Sequence, residues 1–192
     1  MQNSIKNNER GFTLVELLIA MVISLVVLTS LSSAFISQRK TYDVQEQITE
    51  MIQSTRGAID IISREVKMAG YDPTGVGIVG IPYSAGQLEI RADLNVDGDT
   101  ADFNETIIYT ENSGMIEREE GGNTVTLAEN IQSFLFQYYD IDGNATTTAA
   151  DIRQIDITII TQTSKLDPNY GPNNGYRTYT LSSYVTPPNL DF

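Results

Sequence analysis

The 192 residues include 25 acidic and 12 basic side chains, for a formal net charge of −13; such a surface repels phosphates and anionic headgroups and excludes general nucleic-acid binding. Cysteine and histidine are absent, which excludes disulfides, thiolate nucleophiles, imidazole bases and the usual zinc ligands together. What remains is length enough for one membrane segment and one modest globular domain, held by core packing or a bound ion rather than by covalent staples.

The first predicted element is a membrane helix. Between Phe12 and Gln38 the sole ionisable side chain is Glu16, and at about 1.5 Å per residue that span crosses a hydrocarbon core of about 30 Å. A polar stretch with Lys6, Glu9 and Arg10 precedes it and closes at Gly11, while Arg39 and Lys40 follow it. A secretory signal places its small cleavage residue after the apolar run. Here Gly11 stands before the run, so cleavage after it removes the charged leader and leaves the helix on the mature chain. Glu16 lies one turn inside. An acidic side chain costs about 2.5–3.5 kcal/mol at a bilayer centre and less near the interface, and in a first turn it complements the helix dipole.

The run Arg10-Gly11-Phe12-Thr13-Leu14-Val15-Glu16-Leu17-Leu18-Ile19-Ala20 resembles the class III signal of type IV pilins and pseudopilins. The resemblance implies that a prepilin peptidase cuts after Gly11 and methylates Phe12 as the new N-terminus. Glu16 becomes the fifth mature residue, which either sits tolerated at the interface or pairs with the N-terminal ammonium of a subunit during assembly. Gln38-Arg39-Lys40-Thr41-Tyr42, Arg56-Gly57-Ala58 and Ser63-Arg64-Glu65-Val66-Lys67-Met68-Ala69-Gly70-Tyr71 are similar to the PilW-type minor pilins, so the likeness covers roughly the first seventy residues. Where many major pilins carry a kinking proline this chain has Ser33. Ser30, Ser32 and Ser33 are expected to loosen the helix instead, by bonding back to carbonyls.

Beyond Lys40 the pattern becomes amphipathic. Ile48, Met51, Ile52, Ile59, Ile62 and Val66 recur at intervals of three, four and seven residues, which predicts one nearly continuous helix from about Thr13 to Met68, ended by Gly70 and Pro73. Short strand candidates follow, separated by Gly, Asn and Asp, at Gln87–Ala92, Glu105–Thr110, Met115–Glu120 and Asn123–Leu127; Ile131–Tyr139 and Gln154–Gln162 alternate, and Tyr176–Val185 is a further aromatic-rich strand. They predict an antiparallel sheet with one face covered by the amphipathic half of the helix. The expected fold class is therefore α+β and pilin-like, with a leader at 1–11, an assembly helix at 12–38, an amphipathic half at 39–72 and a β-rich domain at 73–192.

Two acidic loops interrupt the strands. Asp93, Asn95, Asp97, Gly98 and Asp99 follow the D-x-[DN]-x-[DN]-G pattern in which hard oxygens at alternate positions wrap calcium. The twelfth position is Asn104 rather than Glu, so Asp102 or Glu105 must supply the missing contact. Asp93, Asn95, Asp97, Asp99, Asp102 and Glu105 are candidate Ca2+ ligands; the competing reading is a solvated acidic turn, for which the same residues are suited. Asp140-Ile141-Asp142-Gly143-Asn144 is shorter and is read as a hairpin loop, with Asp151 available to complete an ion site.

No constellation supports an enzyme. The resemblance implies a minor pilin that primes, joins or caps a type IV pilus, single-pass in the bacterial inner membrane before assembly and on the cell surface after it. Its implied partners are the prepilin peptidase, the major and other minor pilins, a large tip adhesin, and inner-membrane lipid. The alternatives are a GspJ-like type II secretion pseudopilin and a non-polymerising, membrane-anchored calcium- or ligand-binding module.

Overall fold

The computed structural model describes residues 11–190, so Lys6, Glu9 and Arg10 of the expected leader lie outside the described residues. The chain divides into two compact units, one reaching to Gln45 and one beginning at Glu46. Helix α1, Leu14–Val66, contributes residues to both.

In the first unit the apolar side chains of α1, from Leu14 to Tyr42, are exposed. Its length and composition suffice to cross a membrane. Neither Gly nor Pro occurs between Phe12 and Arg56, so nothing in this stretch breaks the backbone ladder. Hydroxyls are satisfied within the helix: Ser24 donates to the Ala20 carbonyl at 2.7 Å, Thr29 to Leu25 at 2.7 Å and Ser30 to Val26 at 2.9 Å. Of the three serines expected to bond back, Ser30 does, while Ser32 and Ser33 make no such bond. The Arg39 guanidinium lies 5.4 Å from the centre of the Phe35 ring, which covers part of the apolar surface at the polar end of this stretch.

In the second unit α1 buries Met51, Thr55, Ala58, Ile59, Ile62 and Val66, a stripe at helical spacing. Among the described residues seven strands follow: β1 Gln87–Arg91, β2 Thr106–Asn112, β3 Met115–Glu120, β4 Asn123–Glu129, β5 Ile131–Tyr139, β6 Gln154–Gln162 and β7 Thr178–Val185. All pairings are antiparallel. The strands form two sheets rather than the one expected, β1-β2-β3-β4 and β5-β6-β7. β4 and β5 are separated by Asn130 alone, in a left-handed conformation at φ 58°, and the chain turns there into the second sheet instead of continuing the first. β6 is central in its sheet and alternates strictly, with Ile155, Ile157 and Ile159 fully buried. These isoleucines join Ile59, Ile62 and Val66 of α1 and Leu88, Ile90 and Tyr109 of the first sheet in one core.

Polar side chains on α1 reach both sheets. Thr55 Oγ1 is 2.9 Å from Thr161 Oγ1 on β6, and Ser63 Oγ is 3.3 Å from Ser183 Oγ on β7. Toward the other sheet, Tyr109 donates its hydroxyl to Glu65, and Arg118 on β3 pairs with Glu65 at 3.1 Å and with Glu120 at 2.7 Å. Burial and the Glu65 carboxylate both push the Tyr109 phenol well above its ordinary value, so it stays a donor. After α1, Gly70 donates its N–H to the Arg91 carbonyl at 2.9 Å, and Arg91 donates to the Gly80 carbonyl at 2.8 Å. At Gly80 the backbones approach so closely that a Cβ would lie 2.2 Å from the Gly70 nitrogen.

Candidate functional site

Two places carry candidate function. At the N-terminus Gly11 and Phe12 precede α1 and are exposed, Phe12 at 89%, and nothing lies within 4 Å of where a Gly11 Cβ would stand. Among the described residues nothing covers Gly11 or Phe12. One step further, Thr13 and Glu16 form a reciprocal capping box. Glu16 Oε2 accepts the Thr13 N–H and the Thr13 hydroxyl, each at 2.9 Å, and the Glu16 N–H donates to Thr13 Oγ1 at 3.3 Å. The T-x-x-E spacing is present in the sequence, and the contacts make Glu16 a helix cap as well as a charge beside the apolar stretch. Both bonds fall on Oε2; Oε1 makes no hydrogen bond among the described residues.

The second place is the loop from Ala92 to Glu105, between β1 and β2. Asp93 is fully buried. Its Oδ1 accepts the N–H of Val96 at 2.6 Å and of Asp97 at 3.2 Å, and its Oδ2 accepts the Gly98 N–H at 3.1 Å and the Thr74 hydroxyl at 3.4 Å. These bonds hold Val96 at φ 68°, a left-handed conformation that a β-branched residue adopts only under constraint. Asn104, also left-handed at φ 72°, turns the chain so that Glu105 points inward and is 2% exposed. Glu105 Oε1 accepts the N–H of Leu94 at 2.9 Å and of Asn95 at 3.1 Å.

Of the six candidate ligands, Asp97, Asp99, Asp102 and Glu105 converge, each with a carboxylate oxygen within 4.8 Å of the others. Asp93 instead spends both oxygens on the loop backbone and Thr74. Asn95 donates its amide nitrogen to the Asp97 (3.1 Å) and Asp102 (2.8 Å) carboxylates, while its Oδ1 accepts the Asp97 N–H at 3.0 Å. The Asp99 N–H above all, then the Asn95 amide, hold the Asp97 carboxyl below its ordinary range. Asp102 is pushed up, chiefly by the hydrogen bond it shares with Asp97 and by the charges of Asp97 and Glu105.

The shorter acidic loop has no such convergence among the described residues. Asp140 accepts the N–H groups of Asp142 at 2.9 Å and Asn144 at 2.8 Å, the capping of a hairpin turn.

An exposed glycine–phenylalanine pair, a carboxylate capping the first turn and an unbroken apolar helical stretch stand together on a chain with an α+β domain. Residues 6–32 match the family model described as the prokaryotic N-terminal methylation motif. Among solved structures the chain is similar to a type IV-like pilin, TTHA1219 from Thermus thermophilus, with a TM-score of 0.47 and 12% identity, over 72% of this chain and 97% of that one. No curated protein matches the chain.

Proposed function

We propose that this chain is a minor type IV pilin of the PilW type, cut after Gly11, methylated at Phe12 and built into a pilus whose assembly it primes, joins or caps. The observation that carries this reading is the methylation motif at residues 6–32, which leads into the exposed apolar helix and its capping Glu16. Cleavage after Gly11 leaves that surface on the mature chain, and it can leave lipid only by burying itself against similar helices. Glu16 is suited to two tasks at once: Oε2 caps its own helix, and Oε1 stays available to the N-terminal ammonium of a neighbouring subunit. The partners this requires are the prepilin peptidase, the major and other minor pilins and, at a fibre tip, a large adhesin. The chain then moves from the inner membrane to the cell surface.

Substitution of Glu16 separates the two tasks. Glu16→Ala is expected to leave membrane insertion and processing intact but to lower incorporation into filaments about tenfold or more, as for a charge pair lost from an apolar setting. Thr13→Ala removes the cap, worth about 1 kcal/mol, and keeps the carboxylate, so its incorporation stays near that of the unmodified chain. Equal incorporation of all three, measured on sheared filaments, contradicts the pairing; equal loss in both variants assigns Glu16 to capping alone.

A further inference from the structure

We propose that the loop between β1 and β2 is a calcium site, with one ion bound by carboxylate oxygens of Asp97, Asp99, Asp102 and Glu105. Calcium takes oxygens at about 2.3–2.6 Å, so two ligands on opposite sides of one ion stand about 4.6–5.2 Å apart. The four carboxylates each offer an oxygen within 4.8 Å of the rest, the separation that a shared ion of this size requires.

Glu105 supplies the second, independent observation. Its residue is 2% exposed, and Oε2 has no hydrogen-bond partner although Oε1 has two. A carboxylate oxygen sealed from water needs donors or a cation. Among the described residues no Lys or Arg forms an ion pair with any of the four. A cation is therefore the complement that both the convergence of charge and the unpartnered oxygen call for.

The ligand chemistry selects the ion. Oxygen-only donors disfavour soft or imidazole-seeking metals. Magnesium keeps most of its water and takes one or two carboxylates, whereas calcium accepts six to eight oxygens in irregular geometry. Four carboxylates, completed by loop carbonyls or water, fit calcium. Asp93 acts beneath the site as a template, since its bonds to the Val96, Asp97 and Gly98 amides set the loop. The proposal is independent of pilus assembly and can fail or stand without it.

Isothermal titration of the chelator-stripped full chain in detergent micelles tests it, with calcium chloride as the probe and magnesium chloride as competitor. The expected result is one calcium per chain, with Kd in the range of about 10⁻⁵–10⁻³ M and weaker binding of magnesium. Asp99→Asn, at an exposed position, and Glu105→Gln each weaken binding about tenfold or more by removing ligand charge, while Asp140→Asn leaves it unchanged. Absence of calcium binding, or binding by Asp99→Asn equal to that of the unmodified chain, overturns the proposal. Asp99→Asn decides the matter even where Glu105→Gln fails to fold.

Discussion

Gly57 and Gly80 show how a single methyl group changes sign with its surroundings. Gly57 lies on the exposed side of α1 with nothing within 4 Å of a Cβ, whereas a Cβ on Gly80 would meet the Gly70 backbone at 2.2 Å. Glycine inside a helix costs roughly 0.5–1 kcal/mol relative to alanine, so Gly57→Ala is expected to stabilise the full chain by about that amount. Gly80→Ala forces two backbone segments apart and is expected to cost about 1–3 kcal/mol or more, the range for overpacking. Thermal unfolding of the full-length protein in micelles measures both, and equal shifts for the two variants contradict the close approach. The same attention to single residues separates Glu16 from an ordinary buried charge. Its spacing to Thr13 was visible in the sequence, but its use as a cap emerges only with the Thr13 Oγ1 and Glu16 Oε2 contacts.

At the scale of elements, the strands were legible as short runs bounded by Gly, Asn and Asp, with period-two alternation clear in Ile131–Tyr139 and Gln154–Gln162, where β-branched and aromatic residues at alternate positions leave a strong signal. Gln154–Gln162 and Ile131–Tyr139 were legible to their ends. The division into two sheets was not, since alternation identifies an inward face without saying which strand lies beside it. That choice rests on the turn at Asn130, one residue between two strands. The acidic loop was similarly half legible: its motif announced a calcium pattern, but the inward turn at Asn104 and the structural duty of Asp93 depend on backbone geometry that no spacing rule encodes.

The connection after α1 adds a titratable element. Asp72 accepts the N–H groups of Gly75, Val76, Gly77 and Ile78 and the Thr74 hydroxyl. Partial desolvation alone would raise its carboxyl; the donors, led by Gly77 and Ile78, outweigh this and hold it at about 2 against an ordinary 3.8. A depressed folded-state value contributes stability above the unfolded value and loses it as pH falls through the folded one. The stability advantage of the unmodified chain over Asp72→Asn is thus full above about pH 4 and disappears toward about pH 2. Melting the two proteins side by side across this range checks it, and a constant difference contradicts the assignment.

For the molecule as a whole, an apolar helical stretch and an acidic domain divide the labour within one chain. The first exposes its apolar side chains, with Ser24, Thr29 and Ser30 bonded back to the helix; the second buries its isoleucines and carries the acidic loop. The whole chain carries a net charge of −13, which favours solubility, while residues 6–32 match the N-terminal methylation motif. The mass of the N-terminal peptide of the protein isolated from cells tests this account most directly. A chain that begins at methylated Phe12 is the predicted result, and one that retains Met1 or is cut at any other bond contradicts it.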